Sequence, residues 1–351
     1  MAIIMAGMVM AAEGQRTCMS VDIFGENFDL SSATIPSDCT GIDMMMNEIG
    51  DEGAVVLADA LKDNSAITTL SLNKNAIFDE GAAALAEALK GNTAITMLYL
   101  SDNKISDAGA AAFAEALKTN TVLEVLGLRY NLISNAGTAA LAEALKTNSA
   151  LTTLNLRYNS ISDGGAVALA EALKTNTALT ALDLYRNKMS DTGAVALAEA
   201  LKTNTALTTL HLSRNLVSDV GAAAIAEVLK TNTALTTLDL EGNHNIKDTT
   251  ILASIQTSLA ENKPKVKKAA PPKPKMEMKN GKEKNSNKIF RINKTPEKMT
   301  TKNINKILKK KMKKKTKTKA TKKKATTKKK KTKMKTKKKN TKKKAQQRTE
   351  L

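Results

Sequence analysis

Few residues of this chain have the types and the spacing that catalysis requires. The two histidines, His211 and His244, have no cysteine partners at zinc-site spacing. The two cysteines, Cys18 and Cys39, do not form a C-x-x-C motif. Phosphate-binding, dinucleotide-binding, zinc-protease and serine-hydrolase motifs are absent from the 351 residues. We therefore expect no catalytic residue, no metal site and no cofactor.

Recurring serine–aspartate pairs are the pattern closest to paired-carboxylate or metal chemistry. Asp163 precedes an apolar run with helical spacing, where a carboxylate can accept hydrogen bonds from free N–H groups of the first turn. We interpret the pairs as helix caps that recur with the structure. The pairs are Ser106/Asp107, Ser162/Asp163, Ser190/Asp191 and Ser218/Asp219.

Tyrosine and arginine are concentrated in and just after short strand-like segments. All four tyrosines lie there, together with four of the five arginines that precede Lys263. These two residue types are enriched where proteins bind proteins, which predicts a binding face. The alternative is that exposed strand positions simply tolerate tyrosine, because its strand propensity is high. The candidate binding residues are Tyr99, Arg129, Tyr130, Arg157, Tyr158, Tyr185, Arg186, His211 and Arg214.

Lysine runs near the C-terminus suit phosphate backbones and other polyanions. They contain no aromatic residues, so binding would depend on charge without base stacking or sequence preference. The same runs resemble nuclear localisation signals. The alternatives are that the tail contacts the acidic part of this chain or has no specific partner. The candidate lysines are Lys309, Lys310, Lys311, Lys313, Lys314, Lys315, Lys322, Lys323, Lys324, Lys328, Lys329, Lys330 and Lys331.

A 28-residue repeat must position all the candidate residues that precede the tail. Within the unit that begins at Gly165, apolar residues Ala166, Leu169, Ala170 and Leu173 have the spacing of one helix face. The second half of the unit alternates like a strand and ends in asparagine, whose amide would pair backbone groups at each strand exit. Glycines mark the repeats at Gly53, Gly81, Gly109, Gly137, Gly165, Gly193 and Gly221.

The repeat reads L-x-x-L-x-L-x-x-N, as at Leu179, Leu182, Leu184 and Asn187. It resembles leucine-rich repeats of the ribonuclease-inhibitor-like class. The resemblance implies an α/β solenoid of about eight repeats, shaped as a horseshoe. Parallel strands would line its concave face and helices its convex face, where pairs such as Glu171 and Lys174 would be solvated.

Composition divides the chain into three parts. Residues 39–262 hold the repeats, with a degenerate first unit at Cys39 and a final helix at Ile251, Leu252, Ile255 and Leu259. Residues 263–351 contain 39 basic and 4 acidic side chains, whereas residues 1–262 contain 16 basic and 30 acidic ones. We expect the basic part to be a disordered tail, because it cannot bury enough apolar area.

Residues 1–38 are interpreted as an N-terminal cap for the first repeat. The apolar run from Ala2 to Ala12 could instead be a signal peptide, but it is short and no basic residue precedes it. We expect Cys18 and Cys39 to be separate reduced thiols.

These patterns predict a non-enzymatic scaffold that binds a protein through its concave face. The tail would direct the protein to the nucleus or nucleolus, with a cytoplasmic location as the alternative. The repeats are also similar to those of the Ran GTPase-activating protein, although that family has an acidic tail and no catalytic loop can be matched. A third hypothesis is a sensing module like those of nucleotide-binding, leucine-rich immune receptors, although the nucleotide-binding domain is absent.

Overall fold

The computed structural model describes residues 16–19, 22–23 and 33–263. The chain divides into two units, Met1–Ala269 and Ala270–Leu351, and every described residue belongs to the first. None of the described helices is long and apolar enough to cross a membrane. The predicted tail, including the candidate lysines from Lys309 to Lys331, lies outside the described residues.

In the described part of the chain, nine short parallel strands form one open sheet in chain order. From β2 onward each strand pairs with the next at an offset of 28 residues, as Leu70 pairs with Leu98 and Leu98 with Leu126. The sequence predicts eight strands, and the additional one is β1. The strands are β1 (Arg16–Met19), β2 (Cys39–Asp43), β3 (Thr69–Ser71), β4 (Met97–Tyr99), β5 (Val125–Gly127), β6 (Thr153–Asn155), β7 (Ala181–Asp183), β8 (Thr209–His211) and β9 (Thr237–Asp239).

A helix follows each strand from β2 to β9, and each helix buries the predicted face. In the helix after β6, Ala166, Leu169, Ala170 and Leu173 are at most 1% exposed. The helices are α1 (Gly50–Leu61), α2 (Asp79–Gly91), α3 (Asp107–Leu117), α4 (Asn135–Leu145), α5 (Asp163–Leu173), α6 (Asp191–Leu201), α7 (Asp219–Leu229) and α8 (Thr249–Asn262).

The core is one continuous cluster between the sheet and the helices. Strand leucines such as Leu154 and Leu182 are fully buried, and so are the helix leucines opposite them. Strands in a sheet are about 4.8 Å apart, whereas packed helices need about 8–10 Å. The stack therefore curves with the sheet on its inner side, as expected for the predicted solenoid.

Glycine is required where consecutive helices approach most closely. A Cβ atom added at Gly193 would lie 2.4 Å from the Met189 Cγ and 2.8 Å from the Ala166 Cβ of the preceding repeat. Such distances are far shorter than carbon atoms tolerate. The marker glycines are therefore set by helix spacing.

The predicted helix caps are present within a helix at Ser106 and Ser218, whose side chains accept from the N–H groups of Ala108 and Val220. The aspartates of the pairs act instead between repeats. The Asp163 Oδ1 accepts hydrogen bonds from the N–H groups of Ser190 (2.7 Å) and Gly193 (3.0 Å), at the start of the following helix. The Ser190 hydroxyl donates to the Asp163 Oδ2 at 2.5 Å. Asn135 replaces the aspartate once and accepts from the same two positions of α5. Each aspartate therefore ties one repeat to the next.

The N-terminal end of the sheet is held by a disulfide, so the prediction of separate reduced thiols is wrong. Cys18 in β1 is bonded to Cys39 in β2, and both are fully buried. Arg16 forms ion pairs with Asp22 and Asp38 beside the bond. Strand β1 pairs with β2 at an offset of 24 residues for Cys18 and Ile42, outside the repeat register.

The helix side carries the predicted i,i+3 ion pairs, which are confirmed. Each lysine near a helix end contacts a carboxylate three residues earlier, and both side chains are largely exposed. Such pairs stabilise a helix by only about 0.2–0.5 kcal/mol. The pairs are Glu87/Lys90, Glu115/Lys118, Glu143/Lys146, Glu171/Lys174, Glu199/Lys202 and Glu227/Lys230.

Candidate functional site

The candidate side chains are held by a turn that follows each strand. The residue just before the buried asparagine of each repeat has a left-handed backbone, with φ near +55° at Tyr130 (58°) and Tyr158 (54°). Arg186 and Arg214 occupy the same position, each with φ of 53°. This conformation favours glycine, asparagine and aspartate, and the equivalent residue near the end of the sheet is Gly242.

The asparagines behind this turn fix its shape, as the sequence predicts. The Asn159 Nδ2 donates to the carbonyls of Leu128 (3.0 Å) and Leu156 (3.1 Å), and its Oδ1 accepts from the Ile133 N–H (3.0 Å). A second buried asparagine column, which includes Asn148 and Asn176, links the loops after the helices in the same manner. The sequence repeat contains this second column, but its role was not predicted.

Three tyrosine rings form a ladder across successive repeats. The ring centroids of Tyr130 and Tyr158 are 5.1 Å apart, and those of Tyr158 and Tyr185 are 5.2 Å apart. Tyr130 is 51% exposed, whereas the other two rings are half-buried. Within the described residues, ring contacts between tyrosines do not include Tyr99.

Two arginines lie over each of the rings of Tyr158 and Tyr185. The guanidinium carbons of Arg129 and Arg186 are 5.3 and 5.0 Å from the centroid of Tyr158. Those of Arg157 and Arg214 are 4.2 and 6.0 Å from the centroid of Tyr185. We call these seven side chains the Tyr–Arg surface. They are Arg129, Tyr130, Arg157, Tyr158, Tyr185, Arg186 and Arg214.

Below the rings, Arg157 faces a buried carboxylate that the sequence analysis did not identify. Its Nη1 lies 3.5 Å from the Oδ2 of Asp183, which is 6% exposed. The Asp183 Oδ1 accepts from the Tyr185 N–H at 3.0 Å, but its Oδ2 and the Arg157 Nε have no hydrogen-bond partner among the described residues. Burial raises the pKa of Asp183, and the hydrogen bond and the Arg157 charge oppose that shift.

His211 lies between two carboxylates on adjacent strands. It pairs in register with Asp183 on β7 and with Asp239 on β9. The Asp239 Oδ2 also accepts a hydrogen bond from the Ser213 hydroxyl at 2.8 Å. His211 is thus beside the Tyr–Arg surface but not in its ring ladder. The equivalent strand position is Ser71, Gly127 or Asn155 in other repeats, and its change to Asp is the sequence signal that could have identified the two carboxylates.

The pKa values of Tyr158 and Tyr185 shift in opposite directions on this surface. Hydrogen bonds from the Tyr185 hydroxyl and from Arg186 lower the pKa of Tyr158, with further help from the Arg186 and Arg129 charges. Burial raises the pKa of Tyr185, and its hydrogen bond to Tyr158 adds to that effect.

Tyr99 is separate from this surface. It ends β4, its ring lies beside Gly127, and its hydroxyl contacts the Met97 sulfur at 3.5 Å. Burial raises its pKa. By sequence Tyr99 belongs to the same set of candidates, but the structure does not bring it into contact with the other tyrosines.

A possible metal-ligand group occurs elsewhere in the described part of the chain. The ligand atoms of Cys18, Asp38 and Cys39 lie within 4.8 Å of one another. Because the two sulfurs are joined in the disulfide, neither is a thiolate that could bind a metal. This group therefore offers one carboxylate only.

Comparisons with known proteins agree with the repeat architecture. A family model described as Leucine Rich repeat matches seven segments, namely residues 41–58, 63–86, 91–114, 147–170, 175–198, 203–226 and 231–250. A comparison with curated proteins gives no match.

Two solved structures are similar to parts of the chain. Leiomodin-1 actin-binding site 2 is 28% identical, and the match covers 36% of this chain and 73% of that one, with a TM-score of 0.34. A pollen receptor kinase 3 is 19% identical, and the match covers 46% of this chain and 68% of that one, with a TM-score of 0.29. Scores this low support no inference about function.

The matched segments follow the 28-residue period seen in the strands and helices. Proteins of this kind are generally non-enzymatic scaffolds that bind other proteins. With seven matched repeats, and with nine parallel strands and eight strand-following helices among the described residues, this chain belongs to the leucine-rich repeat proteins.

Proposed function

We propose that this chain is an interaction scaffold of the ribonuclease-inhibitor-like class and that it binds a protein partner through the Tyr–Arg surface. The observation that supports the proposal most strongly is the ladder formed by Tyr130, Tyr158 and Tyr185. Rings of this kind provide contact area at low cost in conformational entropy, which suits a binding hot spot.

The backbone argues against strand propensity as the reason for these tyrosines. Tyr130 and Tyr158 lie three residues beyond β5 and β6, in a left-handed turn. A bulky side chain is disfavoured in that conformation by about 1–2 kcal/mol relative to glycine. Backbone conformation therefore does not account for tyrosine at these two positions, and contact with a partner would.

Capture from a cell lysate, in the presence of nuclease, tests whether the Tyr–Arg surface binds a protein partner. One variant combines Tyr130→Asn, Tyr158→Asn and Tyr185→Ala, because asparagine tolerates the left-handed backbone at the first two positions. The control combines Glu143→Ala and Lys146→Ala on the helix side. We expect the tyrosine variant to lose partners that wild type and control both retain. Retention by all three proteins would refute the proposal.

The lysine runs between Lys309 and Lys331 form the second part of the proposal. Their charge supports binding to nucleic acid or another polyanion, and a role in nuclear targeting. Contact with about ten phosphates would give a slope of about −9 in a plot of log affinity against log salt. A fluorescent fusion that lacks residues 263–351 should lose nuclear enrichment, and an unchanged distribution would contradict the targeting role.

A further inference from the structure

The arginines of the Tyr–Arg surface differ from the lysines of the helix side in their partners. Every lysine at a helix end, from Lys62 to Lys230, is neutralised by a carboxylate three residues earlier. Within residues 16–19, 22–23 and 33–263, no carboxylate lies within ion-pair distance of Arg129, Arg186 or Arg214. Among the described residues, Arg157 is the one arginine of this surface with an acidic partner.

This imbalance is notable because residues 1–262 carry 30 acidic and only 16 basic side chains. Acidic side chains are abundant in this part of the chain, yet three arginines on one face have none within ion-pair distance among the described residues. Arg129, Arg186 and Arg214 are all exposed, so their charges are available to a ligand. The excess of positive charge is thus local to the Tyr–Arg surface.

The rings hold these arginines in a form suited to carboxylates. A guanidinium that lies on an aromatic ring uses its flat face, whereas its five N–H donors point outward in its plane. Tyr158 is flanked in this way by Arg129 and Arg186. Contact with the ring reduces the conformational entropy that each arginine would lose on binding. The N–H donors that are not bonded to the Tyr158 hydroxyl remain available for charge-assisted hydrogen bonds to a carboxylate.

The spacing of the repeats sets the length of a matching ligand. Arg129 and Arg214 belong to repeats three strand spacings apart, which is about 14 Å at ~4.8 Å per spacing. An extended peptide advances about 3.3 Å per residue, so roughly four to six residues would cover this distance.

We propose that the Tyr–Arg surface binds an acidic protein segment of roughly four to six extended residues, whose carboxylates pair with Arg129, Arg186 and Arg214. This inference rests on the proposed protein-binding function and names the chemistry of the partner. The basic C-terminal residues of this chain have the wrong charge for the same surface. A second copy of the chain, which has acidic side chains of its own, is the competing occupant.

Intrinsic tyrosine fluorescence of the full chain can test this proposal. The protein has no tryptophan, three of its four tyrosines belong to the Tyr–Arg surface, and none lies in residues 263–351. Acidic peptide that binds the lysine runs is therefore silent in this measurement. The probes are blocked hexaglutamate, hexaserine and hexalysine, none of which fluoresces.

We expect hexaglutamate alone to give a saturable signal. Arg186→Gln combined with Arg214→Gln should weaken it by about tenfold or more, because two charge-assisted contacts are lost. The matched control, Lys174→Gln with Lys202→Gln, removes the same net charge from the helix side and should leave the affinity within about twofold. Equal affinity of the arginine variant and wild type, or an equal response to hexaserine, would overturn the proposal.

Two further outcomes separate this inference from the proposed function. If hexaglutamate gives no signal but the tyrosine variant still loses captured partners, the partner is not acidic and only this inference fails. If sedimentation shows a dimer that Arg186→Gln with Arg214→Gln dissociates, the occupant is a second copy and the acidic-partner inference is overturned.

Discussion

At the scale of single residues, the left-handed turn predicts how glycine and alanine substitutions on the Tyr–Arg surface differ in stability. Tyr158 has φ of 54°, whereas Tyr185, one repeat later but one position earlier in its turn, is not in the left-handed region. Glycine is favoured over alanine where φ is positive and disfavoured where it is negative. The same pair of substitutions should therefore have opposite effects at the two sites.

We predict that Tyr158→Gly is more stable than Tyr158→Ala by about 1 kcal/mol, since glycine relieves the left-handed backbone. At Tyr185 the order should reverse by about 0.5–1 kcal/mol. Urea unfolding of the four variants measures both differences. The same order at both sites would show that backbone conformation does not distinguish them.

The buried carboxyl group of Asp183 makes the stability of the folded protein depend on pH. Because burial raises its pKa in the folded state, the folded protein binds this proton more tightly than the unfolded chain does. The stabilisation from that proton is complete below the unfolded pKa of about 3.9 and is lost as pH rises through the folded pKa. Asp183 therefore destabilises the folded protein more as the solution approaches neutrality.

We predict that Asp183→Asn gains stability relative to wild type as pH rises from about 4 toward 7. The asparagine Oδ1 can still accept from the Tyr185 N–H, so the turn is retained. Unfolding free energies of the two proteins across this range give the difference. Glu143→Gln, an exposed carboxylate on α4, is the control and should follow wild type. A difference that falls with pH would contradict the prediction.

At the scale of elements, the repeat period was sufficient to predict most of the fold. Strand leucines such as Leu154 and helix leucines such as Leu169 recur at fixed positions, and both are buried as their spacing indicates. The partners of Asp163 were not predictable in this way. A carboxylate at the start of a helix can cap its own helix or the next one, and only the distance between helices decides which.

That distance depends on the marker glycines, which leads to a prediction for the helix pair α5 and α6. We expect Gly193→Ala to lower the unfolding free energy by about 1–3 kcal/mol, because the new Cβ would overlap the Met189 and Ala166 side chains. Urea unfolding measures the loss. Gly91→Ala is the matched control, since its Cβ would meet no atom within 4 Å, and alanine there should be neutral or stabilising by about 0.5–1 kcal/mol.

At the scale of the whole molecule, the N-terminal end of the solenoid is the part that sequence periodicity did not predict. Strand β1 lies outside the 28-residue register, and of its four residues only Cys18 is buried. Nothing in a four-residue segment of this kind distinguishes a strand from a loop. The candidate site was predictable as residues at equivalent positions of successive repeats. The separation of Tyr99 from the other tyrosines and the burial of Asp183 were not predictable, because they depend on contacts between neighbouring repeats.

The disulfide between Cys18 and Cys39 bears on both stability and location. It closes a loop with a sequence separation of 21 residues, which a chain-entropy estimate values at about 3 kcal/mol. Structural disulfides are typical of oxidising compartments, whereas the nucleus and cytoplasm keep thiols reduced. The disulfide therefore requires an oxidising environment, whereas the proposed nuclear location would keep the same two cysteines reduced.

We predict that reduction of this bond loosens only the N-terminal end, because each repeat contacts mainly its neighbours. Hydrogen exchange with and without reductant should show faster exchange in β1 and β2 and no change from β5 onward. Since the chain has only two cysteines, the reductant acts at this bond alone. Uniformly faster exchange would contradict a local role.

Thiol alkylation of the protein taken directly from cells then tests the compartment. A bonded pair would argue against nuclear residence, and free thiols would agree with it.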